Sequence, residues 1–306
     1  MTMGDDLRAT GATATSALAV LGTGAASAVL GLAPWLARGM RLPLQNLWAQ
    51  PTTPADMPLA LLPLSQYAVA TVLALVVTGY GVAGLAVRAM GARRPRRAAL
   101  AAGAGALAVH LVAAAQSLTT VADGLARRPA SALYLAALGA LLVGSVLTGL
   151  LVLRLVTASS SAAAVVGLSV LALLLGPWCA EVVAPMGSLP GEAASWVLAS
   201  VVRWVPAVLV GAAIAWGGLG SASRVAAAAA GLLLLWVVPA ALTAVTSAVG
   251  SRVLLPHPAE LVDFGLAVLR AALLQPAVVV PALVVAVVVA TAGTALRHVL
   301  TGPATA

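Results

Sequence analysis

LLLGPWCAEVVAPMGSLP, residues 173–190, ends a long apolar run with one carboxylate, Glu181. A run of that length and character reads as a membrane-crossing helix, and the rest of the chain follows from it. A fainter copy lies earlier, at residues 30–43, LGLAPWLARGMRLP. Pro34, Trp35 and Ala37 recur there as Pro177, Trp178 and Ala180, and Arg38 stands where the second copy has Glu181. The echo suggests a duplicated membrane unit, with halves at 1–158 and 159–306 that carry opposite charges at matching places. Four spans separate the two sites, so such halves share one orientation and are related by an axis along the membrane normal. Low-complexity Ala/Val/Leu sequence also produces such echoes by coincidence, which leaves duplication as one of two readings.

Composition excludes most other classes. The chain has 306 residues, of which 62% are hydrophobic and 8% charged. Its mean hydropathy of +1.09 leaves too little polar surface to cover a soluble domain. The expected class is therefore all-α, a polytopic transmembrane helix bundle of about eight spans whose first partner is the lipid bilayer. All sixteen basic residues are Arg and none is Lys. With the Ala, Gly, Val and Leu richness, that bias points to a GC-rich genome and a bacterial plasma membrane. The net charge of +8 does not indicate nucleic acid, because the arginines sit between spans, where they set topology. No nucleic-acid recognition pattern is present. A lone cysteine, Cys179, rules out an intramolecular disulfide and a multi-cysteine metal site and reads as a packed apolar residue. There is no GxxxxGK[ST], hence no nucleotide by that route, and no cofactor motif.

Taken in order, a short polar start with Asp5, Asp6 and Arg8 precedes a first span near 14–36. The start is net negative, unlike a secretory signal, so the span is read as retained. Residues 38–65 form the longest hydrophilic connection, and five prolines (Pro43, Pro51, Pro54, Pro58, Pro63) deny it a continuous helix. Further spans are expected near 66–89, 98–118, 131–156, 162–184, 196–216, 225–249 and 276–296, with a kink at Pro239 in the seventh. Arg88, Arg93, Arg94, Arg96 and Arg97 crowd one short connector, which assigns it and both termini to the cytoplasm. Residues 257–275, HPAELVDFGLAVLRAALLQ, show helical amphipathicity, with Glu260, Asp263, Ala267 and Arg270 on one side. They read as an interfacial helix outside the eighth span, or as a re-entrant hairpin with it.

Few residues offer chemistry. Glu181 near a span end favours a partner, and Arg38 and Arg203 are the candidate counter-ions; the alternative is a solvated interfacial acid beside a belt of Trp35, Trp48, Trp178, Trp196 and Trp204. His110 lies deep in the third span, where a buried neutral imidazole competes with proton handling or ligand contact. Neither a catalytic triad nor the paired-His spacing of a zinc hydrolase is discernible, which places an intramembrane enzyme third among the readings. Gln116, Thr119, Thr120, Thr243 and Thr246 give two hydroxyl-rich span ends and, with Glu181, the expected lining of a transport path. One midplane ionisable group suits a hydrophobic or lipid-like cargo better than an ion. The competing reading is a non-catalytic subunit of a larger membrane complex, packed through small-residue faces such as Gly79 with Ala83 or Ala104 with Ala108.

Overall fold

The computed structural model describes residues 3–91, 95–184, 189–251, 253–254 and 257–301, with side chains described between 17 and 300. Arg93, Arg94, residues 185–188 of the opening stretch and the side chains of Asp5, Asp6 and Arg8 lie outside the described residues. The protein is all-α, with no strand among the described residues and two isolated bridges, Arg41 with Leu59 and Trp48 with Leu125. Its helices are α1 (Met3–Ala37), α2 (Val69–Ala89), α3 (Ala98–Gly124), α4 (Pro129–Thr157), α5 (Ser161–Val183), α6 (Glu192–Ser200), α7 (Val205–Gly217), α8 (Ala222–Gly250), α9 (Pro258–Leu273) and α10 (Pro276–Thr301). Eight helical segments are long and apolar enough to cross a membrane. It is a multi-pass helix bundle, as composition and spacing predict. Chain contacts group it into two units, 1–64 with 72–157, and 65–71 with 158–306.

In the first unit α2 is the most enclosed helix, buried at Val72, Leu75, Val76, Tyr80, Ala83 and Val87. α1 and α3 approach closely at glycines. A Cβ on Gly24 would collide with the Ala102 carbonyl, and one on Gly105 with the Leu21 carbonyl. Small residues let helices meet where lipid supplies no hydrophobic drive for association. Ala104 and Ala108, the small-residue face offered for packing in a larger complex, are exposed in this chain. The stripe buried within it is Ala102, Gly105, Ala106, His110, Ala113 and Ser117.

The connection at 38–65 carries no helix, as its five prolines predict, but it is less hydrophilic inside than its composition suggests. It is not a solvated loop: Leu42, Met57, Leu62 and Leu64 are buried. Gly39 (φ +88) and Met40 (φ +56) turn the chain out of α1. Two extended stretches then pair, Leu42 N donating to Pro58 O at 2.9 Å and Ala60 N to Met40 O at 2.8 Å. Prolines forbid a helix here, yet buried backbone groups still require partners. Side chains at helix ends supply them. Gln116 Oε1 accepts from Leu61 N (2.8 Å), Gln116 Nε2 donates to Leu59 O (3.0 Å), and Ser117 Oγ accepts from Leu62 N (2.8 Å). Gln45 Nε2 donates to Leu64 O (2.9 Å) while Tyr134 OH donates to Gln45 Oε1 (2.6 Å). Trp35, placed in the interfacial belt by sequence, is buried and donates from Nε1 to Ala60 O at 2.8 Å.

The second unit packs α5, α7, α8 and α10 around one apolar core. Val165 and Ala172 of α5 meet Val210 and Ile214 of α7, Ala227 and Ala228 of α8, and Ala290 of α10. Leu173, Ala207, Leu235 and Ala286 form the adjoining layer. Ser160 and Ser221 cap the starts of α5 and α8 after short connectors. The sixth span, predicted as one helix, is broken: α6 ends at Ser200, a tight 3-10 turn covers Val202–Trp204, and α7 begins at Val205. Pro206 has no N–H for the Val202 carbonyl, so the helix restarts with proline in its first turn, where that N–H has no intrahelical acceptor. α8 remains helical on both sides of Pro239.

α9 is helical, as its periodicity predicts, and it packs along α8, the seventh span, whereas the hairpin reading expected it on the eighth. Leu261, Gly265, Val268, Leu269, Ala272 and Leu273 form a half-buried stripe. Gly265 lies against Ala248 near the end of α8, and Trp236 Nε1, midway along α8, donates to Leu273 O at 3.0 Å. The helix therefore runs back along the second half of α8.

Candidate functional site

A cavity of about 660 Å³ opens within the second unit, next to the Leu173, Ala207, Leu235 and Ala286 layer. It falls in the size range of small-molecule sites. Its walls come from α5 (Leu173, Pro177), the 3-10 turn and start of α7 (Arg203, Trp204, Pro206, Ala207), α8 (Leu235, Trp236, Val238 to Ala240, Leu242, Thr243, Thr246) and the junction of α9 with α10 (Ala272, Gln275, Ala277 to Val279, Ala282). Ala70 completes the lining.

Prolines explain why helices that otherwise pack tightly leave space here. Pro177 and Pro239 line the cavity and Pro281 lies within α10. Each lacks the N–H that its helix would give to the carbonyl four residues back. Those carbonyls belong to Leu173, Leu235 and Ala277, and all three residues also line the cavity. A proline and the carbonyl it releases lie on the same helix face, so the wall carries main-chain acceptors without an intrahelical donor. Thr243 Oγ1 donates to Pro239 O (2.9 Å) and Thr246 Oγ1 to Leu242 O (2.8 Å), so both predicted hydroxyls reach the cavity with their protons engaged on α8.

Arg203 is the one charged residue of the lining among the described residues. It is exposed, stacks its guanidinium over Trp204 at 4.2 Å from the ring centroid, and makes no ion pair with a described residue. Gln275, also exposed, makes no side-chain hydrogen bond with a described residue. Sequence reading named Arg203 as a counter-ion for Glu181 but missed Trp204 as its support, although the RWVP run at 203–206 holds the signal: a cation, an aromatic ring and a helix-restarting proline.

The remaining predicted residues lie elsewhere. Glu181, one turn beyond Pro177 on α5, is buried at 4% exposure, which is not the position of a solvated interfacial acid. Arg38 is exposed in the first unit, after the α1 turn. Gln116 and Thr120 are engaged in the first unit, Gln116 Nε2 donating also to Thr120 Oγ1 at 3.0 Å, so these side chains anchor the 38–65 connection. His110 is buried and stacks on Tyr80, with centroids 5.0 Å apart and planes at 27°. His110 Nδ1 and Nε2, Tyr80 OH and Thr78 Oγ1 find no hydrogen-bond partner among the described residues. Tyr80 fits because position 149 is glycine, where a Cβ would collide with its ring. Among the described residues no group of His, Cys, Asp and Glu gathers into a metal site. No known protein family matches this chain, and neither a curated protein nor a solved structure does.

Proposed function

We propose that this multi-pass membrane protein binds and moves a hydrophobic or lipid-like molecule, and that the cavity of the second unit is where it is held. The observation that carries this reading is the cavity of about 660 Å³, walled by apolar side chains of helices long enough to cross a membrane. A pore for hydrated ions requires polar or charged rings, whereas the described walls are mostly Leu, Ala, Val, Pro and Trp, with Arg203, Gln275, Thr243 and Thr246 as the polar side chains and both threonine protons engaged on α8. Three proline-interrupted walls also give the site places where helices can flex without breaking a complete hydrogen-bond ladder. The matched Pro-Trp contexts support an origin by duplication, with halves at 1–158 and 159–306. The arginine-only basic set supports a bacterial plasma membrane, and the arginine-rich connector after α2 supports cytoplasmic termini.

The test is purification of the full chain in mild detergent, followed by native mass spectrometry of what is retained. A bound lipid or apolar solute that is lost in Ala207→Trp, which fills the cavity, is the expected result. A stoichiometric protein partner with no retained small molecule would instead favour the reading as a subunit of a larger complex.

A further inference from the structure

We propose that Arg203 receives the acidic head of an amphiphile whose apolar chain lies in the cavity of the second unit. This deepens the function proposed above and rests on it. The starting point is where Arg203 stands. It falls inside the apolar segment Glu192–Gly217, at the break between α6 and α7. The 13 residues of α7 extend only about 20 Å at helical rise, short of the roughly 30 Å of a hydrocarbon core. An arginine in such a segment is expensive to keep, and one that is kept marks a functional site by default.

The side chain is also prepared for an anion. Stacking on Trp204 fixes the plane of the guanidinium at 4.2 Å, and the group makes no ion pair or hydrogen bond with a described residue. Its five N–H donors in a planar fork match the two oxygens of a carboxylate or a phosphate. The first turn of α7, which follows directly through Pro206 and Ala207 in the lining, adds the positive end of a helix dipole. Gln275, across the cavity at the junction of α9 and α10, offers a further amide whose donors have no described partner.

The rest of the site decides what kind of anion. Beyond Arg203 and Gln275 the walls are mostly apolar, with Leu173, Ala207, Val238 and Val278 among them, and Thr243 and Thr246 give their protons to α8 carbonyls, so a small hydrated anion gains little there. The released carbonyls of Leu173, Leu235 and Ala277 repel negative charge, so the head stays at Arg203 and the chain takes the interior. A molecule with both parts, an acidic lipid of the bilayer, matches charge with charge and hydrocarbon with hydrocarbon.

The full chain in phosphatidylcholine vesicles is labelled with a diazirine-bearing palmitate or with the corresponding uncharged alcohol, and the modified residues are mapped by mass spectrometry. We expect palmitate to label cavity residues. Arg203→Gln should weaken that labelling by about tenfold or more, the loss of a charge-assisted hydrogen-bonded pair. Arg203→Lys should recover part of it, and the alcohol should label both proteins alike. Millimolar acetate should not compete. If alcohol and palmitate label equally and Arg203→Gln changes neither, the acidic-head inference is wrong while the cavity reading stands. If acetate displaces palmitate, the site is one for small anions and the amphiphile is wrong. If neither probe labels the cavity, or both Ala207→Trp and Val278→Trp leave labelling intact, the proposed function itself falls.

Discussion

A glycine and a tyrosine show how finely single residues are matched in the first unit. Tyr80 and His110 are stacked inside it because Gly149 has no side chain to occupy the space of the phenol ring. Gly149→Ala is therefore expected to destabilise by about 1–3 kcal/mol, the usual penalty of an overfilled core. Tyr80→Leu made first should remove most of that penalty, so a thermal double-mutant cycle reads the clash directly. Glu181 poses the complementary case. A buried carboxylate holds its place through partners, and Glu181→Leu, which strips it from them, should lower stability by ~3 kcal/mol in a denaturation series. An unchanged melting temperature would show that its burial contributes nothing.

Individual helices show where sequence reading succeeds and where it stops. The second span was expected at 66–89 and lies at Gln66–Ala89, because hydropathy sums over twenty residues and tolerates local error. The amphipathic helix at Pro258–Leu273 was legible for the same reason, since 3.6-residue periodicity needs no knowledge of neighbours. Which face packs is a different matter. Ala104 and Ala102 look alike in a stretch of alanines, and only the glycine contacts at Gly24 and Gly105 choose between them. The 38–65 connection is non-helical as its prolines predict, but its buried side was not legible, because prolines and polar residues outweigh Met57, Leu62 and Leu64 in any average. The break at Arg203 was written plainly in Pro206, and its consequence, a cavity, depends on the remote Pro177 and Pro239. That dependence can be tested. Pro239→Ala restores the donor for the Leu235 carbonyl and should raise thermal stability, by as much as about 3 kcal/mol if the wall straightens fully. Labelling of the cavity by palmitate should fall at the same time, and a rise in stability with labelling unchanged would separate the proline from the site.

At the scale of the whole molecule, the orientation proposed from the arginine connector gives a simple expectation. After Cys179→Ser, a cysteine introduced at Thr53, which is exposed, should react with a membrane-impermeant reagent from outside intact cells. Reaction only after the cytoplasmic face is opened would invert the topology. The arginines do more than face water, however. Arg88 Nη1 donates to Val156 O at 2.6 Å, near the end of α4, and Arg297 Nη1 donates to Ala215 O (2.7 Å) and Trp216 O (2.5 Å), at the end of α7. Each closes carbonyls that a helix leaves open at its C-terminus.

The clasp between Arg297 and α7 bears on the order of biosynthesis. α7 is short; it packs on α5, made before it, but its other flank and the closure of its end come from α10, about seventy residues later in the chain. While the ribosome is still adding α8 and α9, α7 has its glycine at 211 facing no Ala286 and its last carbonyls facing no guanidinium. We therefore expect the second unit to complete its packing only when the final span enters the bilayer, with one flank of α7 and its last turn open to membrane proteases until then. A chain stopped before Pro276 should be degraded with a short half-life in pulse-chase labelling, whereas Arg297→Ala, which keeps the span and loses only the clasp, should shorten it less.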